Sequence, residues 1–249
     1  MITKTLVMGD LHLPFEDKDA VDLVLTAAEQ IGVDRIILNG DICDFYNVNS
    51  HGATHPDIAE TLEYEMIYTR EWLEKLRDRF PRQHIVLNLG NHEFRLKRFI
   101  INNAKAFWNI ITPEKYFRLD DLDIEHYPYN NRYQIENCNL FIQHSPPSYA
   151  VNGAMTSLKK KLDATYIYNC VHRAQVAHLT SANGNIYSCY FNGWLGDRSS
   201  KVFSYTKGHD NWQQSVCMIT AIDHTEFNVE LSVIKNKTLT IDGRTFIKD

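Results

Sequence analysis

Side chains of the kind that bind metal ions follow several short apolar runs of this chain. Three runs lead into "GDLH" (9–12), "GDICD" (40–44) and "GNHE" (90–93), and two later runs lead into "QHS" (143–145) and "NCVHR" (169–173). The candidate side chains are Asp10, His12, Asp41, Asp44, Asn91, His92, His144, Cys170 and His172. Carboxylate and imidazole ligands together suit Mn²⁺, Fe²⁺ or Zn²⁺, and the set is large enough for two ions that share one carboxylate. Two ions about 3.5–4 Å apart stabilise both the attacking and the leaving oxygen of a phosphoryl displacement.

The secondary structure around these segments must bring them together. Apolar periodicity predicts three strands, each followed by a glycine, and three helices between and after them. They are strands Thr5–Met8, Arg35–Leu38 and His84–Leu89, and helices Asp17–Ile31, Ile58–Arg79 and Phe94–Phe107. This alternation is typical of a parallel sheet covered by helices, in which the carboxyl ends of the strands lie at one edge. A single Gly-Asp pair is usually a turn, but five strands that end in ligand-type side chains predict a shared site.

Short strands dominate the second half of the chain. They are predicted at 124–127, 132–136, 139–143, 165–171, 185–192, 215–222 and 227–234. A helix is predicted near Thr156–Leu162, and the Asp242-Gly243 pair favours a hairpin with a type I′ turn. No Pro/Gly/Ser-rich linker separates the halves, so a single domain over residues 1–249 is expected.

Composition limits the classes of function. The chain is 44% hydrophobic and 23% charged, a composition typical of a folded domain and not of a disordered chain. Its net charge of −5 disfavours broad non-specific binding of duplex nucleic acid. The basic stretches 95–105 and 158–162 are either local binding patches or solvated helix faces. Five cysteines without a CxxC pair indicate reduced thiols and a cytoplasmic location, in a bacterial or phage-infected cell. The sequence has no run of about 18 apolar residues, so no membrane span is predicted. The N-terminal apolar stretch is too short for a signal peptide.

In this order, "GDLH", "GDICD", "GNHE", a strand-end histidine and a final histidine-arginine element resemble the calcineurin-like metallophosphoesterase superfamily. The resemblance spans roughly residues 5–175, and the surroundings of the first and third segments are most similar to small metallophosphoesterases of phages and prophages. With the β-α-β first half and the strand-rich second half, the expected fold is α/β, a four-layer α/β/β/α sandwich of two mixed β-sheets flanked by helices.

The resemblance implies two divalent metal ions, with Mn²⁺ expected and Zn²⁺, Fe²⁺ or Ni²⁺ as alternatives. It assigns the first ion to Asp10, His12, Asp41 and His172, and the second ion to Asp41 as bridge, Asn91, His144 and the position of Cys170. A hydroxide between the ions would attack phosphorus in line. His92 would be the general acid that protonates the leaving oxygen, and Asp44 would orient its imidazole.

The segment around Cys170 departs from the family pattern, which has Gly-His-x-His there. In one register His172 is the second histidine, Arg173 follows it in phase, and Cys170 takes the place of the first. In the other register Ala174 would fall at the second histidine and could not bind a metal. Cys170 is either a thiolate ligand that favours softer ions such as Zn²⁺, or a small buried apolar side chain beside a three-ligand site.

The predicted function is hydrolysis of a phosphate ester, with a phosphodiesterase or nuclease-like activity favoured. Phosphoprotein phosphatases of this superfamily carry Arg directly after the second Asp of the "GDxxD" element, where this chain has Phe45, so a bidentate phosphate clamp is missing. The alternatives are a phosphomonoesterase or protein phosphatase, and a non-catalytic metal-bound scaffold. A nucleic acid or nucleotide is a candidate substrate. Trp194 either stacks a base at the rim of the site or packs in the core.

Overall fold

The computed structural model describes residues 2–49, 61–161, 163–206, 210–223 and 225–248. The strands are β1 (Ile2–Met8), β2 (Arg35–Asn39), β3 (His84–Asn88), β4 (Ile124–Tyr127), β5 (Tyr133–Gln134), β6 (Leu140–Gln143), β7 (Thr165–Tyr168), β8 (Gln175–Thr180), β9 (Ile186–Phe191), β10 (Ser215–Ile222), β11 (Glu226–Val233), β12 (Thr238–Ile241) and β13 (Arg244–Ile247). The helices are α1 (Lys18–Ile31), α2 (Leu62–Arg79), α3 (Asn91–Asn103), α4 (Pro113–Tyr116) and α5 (Gly153–Lys160). Three short 3₁₀ turns occupy Tyr46–Val48, Lys105–Phe107 and Lys201–Thr206.

Two mixed sheets form the centre of the molecule. The first has six strands in the order β11-β10-β1-β2-β3-β4, and the second has five in the order β5-β6-β7-β9-β8. Strands β1 to β4 run parallel to one another, whereas β10 pairs antiparallel with both β1 and β11. In the second sheet, β6, β7 and β9 are parallel, and β5 and β8 are antiparallel edge strands. The parallel strands β1, β2, β3, β6 and β7 lead into the candidate side chains.

Three apolar layers hold the sheets and helices together. Alternate residues of a strand face opposite sides, and in β1 Leu6 and Met8 pack with helices α1 to α3 while Val7 faces the second sheet. The other face of the second sheet packs against α5, with Phe191 among the buried residues. The order is therefore helices, sheet, sheet, helix. The predicted α/β class with two mixed sheets and flanking helices is confirmed.

Local signals explain where the helices begin and end. The Asp17 side chain caps α1 by accepting a hydrogen bond from the amide of Ala20, and Gly32 ends the helix at φ 73°. Helix α3 begins at Asn91, three residues before the predicted start, because Glu93 accepts a hydrogen bond from the Gly90 amide and completes the first turn. The predicted start of α2 lies outside the described residues.

Other boundaries differ from the prediction as well. The strand predicted at 165–171 ends at Tyr168, so the cysteine and histidine that follow it lie in a turn. Strand β8 and the short helix α4 were not predicted, because neither has a long periodic apolar pattern. The predicted hairpin is confirmed: β12 and β13 are joined at Asp242 and Gly243, both with positive φ. Among the described helices, none has the length and apolar character needed to cross a membrane.

Candidate metal centre

The loops after β1, β2 and β3 meet the ends of β6 and β7 at one edge of the paired sheets. Two glycines make this approach close enough. A Cβ at Gly40 would lie 2.5 Å from His144 Nδ1, and a Cβ at Gly90 would lie 2.2 Å from Asp41 Oδ1. Neither contact is tolerable, and Gly40 also has φ 82°. The glycines of the "GD" and "GN" segments are therefore required by the side chains that pack against them.

Asp10, His12 and His172 form what we call the first group. Nε2 of His12 lies 3.1 Å from Nε2 of His172, and Nε2 of His172 lies 3.6 Å from Asp10 Oδ1. All three side chains are nearly inaccessible to solvent. Nδ1 of His12 is 2.9 Å from the Asp44 carboxylate, which fixes the ring orientation and turns Nε2 toward the group. The His172 ring stacks on Trp194 with the centroids 5.3 Å apart. Trp194 is 2% exposed and belongs to the core, not to the rim.

Asp41, Asn91, His144 and Cys170 form the second group. Nε2 of His144 lies 3.2 Å from Asp41 Oδ2 and 3.1 Å from Asn91 Oδ1. Its Nδ1 is 2.7 Å from the Asn39 carbonyl oxygen, to which it donates. Sγ of Cys170 lies 3.0 Å from Asn91 Oδ1, so the thiol points into this group. The two groups adjoin, because ligand atoms of Asp10, Asp41 and His144 lie within 4.8 Å of one another.

His92 lies between the two groups and the surface. Its Nδ1 is 2.7 Å from the Asp44 carbonyl oxygen and 3.5 Å from the Asp44 carboxylate, and its Nε2 is 3.6 Å from Asp41 Oδ2. The family resemblance implies that the Asp44 side chain orients His92. In the structure the Asp44 backbone makes the shorter contact with His92, while the carboxylate makes its shortest contact with His12. Asp44 therefore orients both imidazoles.

Backbone geometry at the centre is unusual. Asp10, His12, Asp41, Cys170 and His172 all have φ between 50° and 69°, the left-handed region that non-glycine residues seldom adopt. Such conformations cost of order 1–3 kcal/mol each and concentrate at functional sites. The fold must stabilise them elsewhere, and one source is evident at the loop after β2. There the buried Glu93 carboxylate accepts hydrogen bonds from the amides of 41, 42, 43 and 90.

Charges at the centre shift the pKa values of neighbouring groups. Burial opposes the Asp41 charge, but the imidazoles of His144 and His92 outweigh it and hold the pKa of Asp41 well below its usual range. Conversely, Asp41 overcomes the effect of burial and raises the pKa of His144 well above its usual value. Burial and the nearby His92 lower the pKa of His12. The carboxylates of Asp41 and Asp44 overcome burial and raise the pKa of His92.

The two groups fit divalent cations. Oδ1 of Asp10 is buried and receives no hydrogen bond, a costly arrangement unless a cation satisfies it. Nε2 of His12 and Nε2 of His172 point at each other across a short distance, as two ligands of one ion do. The donors are carboxylate, imidazole, carboxamide and thiol, the set that borderline divalent metals accept. Every candidate ligand predicted from the sequence lies in one of the two groups.

Some residues at the centre were not identified from the sequence. Nδ2 of Asn169 donates to Asp10 Oδ2 at 3.0 Å, and the amide of Cys170 donates to the same oxygen at 2.9 Å. The hydroxyl of Tyr149 lies 3.8 Å from Cys170 Sγ. An asparagine just before the cysteine carries no signal of its own, because its partner Asp10 is remote in sequence. The sequence leaves His51 and His55 either as substrate contacts or as solvated loop residues, and both lie outside the described residues.

A cavity of about 350 Å³ opens beside the first group. Its lining combines the catalytic candidates with aromatic and basic side chains. The lining residues are His12, Asp44, Tyr46, Asn49, His92, Arg95, His172, Val202, Phe203 and Tyr205. The guanidinium of Arg95 is 3.3 Å from the Asp44 carbonyl oxygen. Phe45, by contrast, is fully buried and does not face the cavity.

Comparison with known proteins completes the description. Vacuolar Protein Sorting 29 from Cryptosporidium parvum is similar at 14% identity over 98% of this chain and 94% of that one, with a TM-score of 0.47. The phosphoesterase YfcE from E. coli is similar at 14% identity over 99% of this chain and 97% of that one, with a TM-score of 0.41. A dimetal phosphatase from Danio rerio is similar at 10% identity over 91% of this chain and 98% of that one, with a TM-score of 0.40. No curated protein matches the sequence. The family model described as calcineurin-like phosphoesterase matches residues 3–219. The chain belongs to the calcineurin-like phosphoesterase family.

Proposed function

We propose that this protein is a metal-dependent phosphodiesterase that hydrolyses its substrate with two divalent ions. The observation that carries the proposal is the convergence of the two ligand groups beside His92, with His12 and His172 of the first group in the wall of a cavity. A metal site that served only to stabilise the fold would not need an imidazole held by the Asp44 carbonyl oxygen in the wall of a cavity. The arrangement supports a hydrolytic role.

The first ion would be held by Asp10, His12, His172 and Asp41, and the second by Asp41, Asn91, His144 and Cys170. When bound, such ions polarise a phosphoryl oxygen and supply a nucleophile from water at neutral pH. Asp41 suits the shared position because its carboxylate adjoins both Asp10 and His144. Mn²⁺ suits the oxygen and imidazole donors of the first group, and the Cys170 thiol gives the second group an affinity for Zn²⁺ as well.

His92 would donate a proton to the leaving oxygen. Asp41 and Asp44 raise the pKa of its imidazole, which favours the protonated ring that an acid needs. The pKa of His12, a candidate ligand, is lowered, which favours the neutral ring that binds a metal ion. Asp44 contacts both rings and keeps each in its orientation.

The cavity favours a diester over a phosphorylated protein side chain. Phe45 lies fully buried, with its ring 6.2 Å from that of Phe117, so the position of the phosphatase arginine contributes no guanidinium. Tyr46, Phe203 and Tyr205 give the cavity an aromatic wall, which suits an organic group esterified to the phosphate, including a nucleoside.

Turnover of small chromogenic esters tests the proposal. The purified protein is assayed with Mn²⁺ on bis(p-nitrophenyl) phosphate and on p-nitrophenyl phosphate, and we expect a higher kcat/KM for the diester. A higher kcat/KM for p-nitrophenyl phosphate would indicate a phosphomonoesterase instead of a phosphodiesterase. Turnover of neither ester, with metal bound according to mass spectrometry, would indicate a non-catalytic scaffold. His92→Asn is the matched variant, because metal content should persist while turnover falls.

A further inference from the structure

One face of α3 extends from the metal centre to the surface. Asn91, Arg95, Arg98 and Asn102 are spaced at i, i+4, i+7 and i+11, so they form a single stripe along the helix. Asn91 belongs to the second group, and Arg95 lines the cavity beside the first. At about 1.5 Å of rise per residue, the stripe covers roughly 16 Å from Asn91 to Asn102. A chain-like substrate with its reactive phosphate at the centre would run along this stripe.

A second cavity, of about 300 Å³, lies along the outer part of the stripe. Its lining residues are two arginines, four asparagines, one phenylalanine and one valine, without a carboxylate among them. Arg95 lines both cavities, which makes them neighbours. Asparagine amides and guanidinium groups donate hydrogen bonds to phosphate and sugar oxygens. The lining therefore suits an anionic, oxygen-rich ligand.

The region around α3 is basic, whereas the chain as a whole has a net negative charge. Residues 94–113 include the cations Arg95, Lys97, Arg98 and Lys105 and no acidic residue, in a chain with 31 acidic and 26 basic residues. Arg98 is exposed and makes no hydrogen bond or ion pair with the part of the chain that the structure describes. Within that part of the chain, its guanidinium is available for a phosphate.

An exposed aromatic ring accompanies the two arginines. Phe99 is 45% exposed and lines the second cavity. It follows Arg95 by four residues, so it lies on the same side of the helix. Aromatic side chains interleaved with cations are how proteins bind single-stranded nucleic acids, because the rings stack on unpaired bases while the cations contact phosphates. A base paired within a duplex is not free to stack in this way.

We propose that the face of α3 formed by Arg95, Arg98, Phe99 and Asn102 binds the nucleotides that flank the scissile phosphodiester of a single-stranded nucleic acid. The proposal rests on the proposed function and names its substrate class. Arg95 contacts the phosphate nearest the centre, Arg98 contacts the next phosphate outward, and Phe99 stacks on a base. The basic run 158–162 is not placed beside either cavity. Its residues Lys159 and Lys160 lie at the end of α5 and line neither of them.

Binding can be measured without hydrolysis. Fluorescence anisotropy of a labelled 15-nucleotide oligothymidylate is recorded against the full chain in EDTA at several salt concentrations. Arg98→Gln should weaken binding about tenfold and lower the slope of log K against log salt by about 0.7, the value for one phosphate contact on a single strand. Phe99→Ala should weaken binding at least about fivefold, with the salt slope unchanged, because stacking is not electrostatic.

Lys159→Gln is the matched control, because it removes the same charge from the other basic run, and it should change affinity less than twofold. Equal losses for Arg98→Gln and Lys159→Gln would overturn the proposal, since they would reveal only a diffuse charge effect. Equal affinity for a duplex of the same length, or for polyglutamate, would also overturn it. With Mn²⁺, Arg98→Gln should lower the ratio of kcat/KM on the oligonucleotide to that on bis(p-nitrophenyl) phosphate about tenfold.

These measurements separate the two proposals. A wild-type protein that hydrolyses bis(p-nitrophenyl) phosphate but does not bind the oligonucleotide would refute the α3 surface and leave the phosphodiesterase intact. A protein that binds the oligonucleotide through Arg98 and Phe99 but hydrolyses neither compound would refute the phosphodiesterase and support a single-strand binding surface.

Discussion

The two ligand groups of the centre differ in how firmly they are held. In the first group, His12 is fixed by the Asp44 carboxylate, and His172 is packed between Trp194 and Trp212, with ring centroids at 5.3 and 4.4 Å. In the second group, His144 is fixed by a backbone carbonyl, but Cys170 is only partly buried and its Sγ touches the Asn91 amide and the Tyr149 hydroxyl. The histidines of the first group are therefore held in a fixed geometry, whereas the Cys170 side chain of the second group is held less firmly.

This difference has a chemical consequence. Carboxylate and imidazole donors in a fixed geometry select ions by size and charge, whereas a thiol admits softer ions. We therefore expect the first group to bind one ion tightly, and the second to bind its ion more weakly and with a broader choice of metal. The proposed reaction needs both ions, so its rate should follow occupancy of the second group.

The largest effect is expected where the groups adjoin. Asp41→Asn removes the carboxylate that contacts His144 and approaches His92. Because metal ions contribute several kcal/mol to such reactions, kcat/KM on bis(p-nitrophenyl) phosphate should fall by at least about 10³-fold. Asp120→Asn is the matched control, because Asp120 is 94% exposed and lies outside the centre. A loss below about tenfold for Asp41→Asn would show that the groups do not act together.

The next effect concerns the acid beside both groups. His92→Asn should keep the metal content and lower kcat by roughly 10²–10⁴-fold, the range of general acid catalysis. The loss should be smaller for diesters with a good leaving group, because these need little protonation. His84→Asn, at an exposed ion pair with Glu125, serves as the control. Equal losses for good and poor leaving groups would exclude the role of acid.

A smaller effect concerns the segment that supports the first group. Glu65 accepts hydrogen bonds from the amides of Tyr46 and Asn47, just beyond Asp44, and burial raises its pKa to about 7. The folded state therefore retains this proton when the unfolded state, with a pKa near 4.5, has lost it. The contribution of Glu65 to stability is fullest below pH 4.5 and declines as the pH rises toward 7.

Urea unfolding at pH 5 and pH 7 measures this decline. Glu65→Gln, which cannot ionise, should show less loss of unfolding free energy over this interval than the wild type, by on the order of 2–3 kcal/mol. Glu125→Gln at an exposed site is the control. A pH dependence identical in wild type and Glu65→Gln would show that the carboxyl group is already ionised in the folded state at pH 5.

The smallest effect is expected for a substitution that reduces the chemical difference between the two groups. Cys170→His should replace the thiol by a second imidazole beside His144 and bring the second group closer in character to the first. The Mn²⁺ dissociation constant of the weaker site should then fall about tenfold, since imidazole suits Mn²⁺ better than thiolate does. Calorimetric titration of the metal-free protein measures both sites. An unchanged weaker site would show that residue 170 does not contact the second ion.

Much of the centre was predictable because parallel strands deliver their ends to one edge. The positions of Asp10, Asp41 and Asn91 follow from the apolar runs before them and from the glycines that admit close packing. Cys170 points into the centre, but not through the alternation of side chains along a strand that it would share with His172. Strand β7 ends at Tyr168, and the thiol reaches Asn91 through a turn with left-handed backbone at 170 and 172. Such turns are set by long-range packing, which a local pattern does not encode.

The supporting contacts were less accessible to sequence reasoning. The burial of Trp194 against His172 and the bond from Asn169 to Asp10 join residues far apart in the chain. Strand β8 has a mixed pattern because it is an edge strand with one partner, so its apolar face is short. Residues placed by the end of a parallel strand were predictable, and the contacts that loops make with remote parts of the chain were not.

The most direct test of the two-group account is the number of metal ions bound per chain in native mass spectrometry. The wild type, loaded with Mn²⁺ and exchanged into volatile buffer, should carry two ions. Cys170→Ala should carry one, because the first group is untouched while the second loses a ligand. Cys138→Ala, at a buried thiol remote from the centre, should carry two and lose only packing energy, about 1 kcal/mol. Two ions at full occupancy in Cys170→Ala would contradict the account.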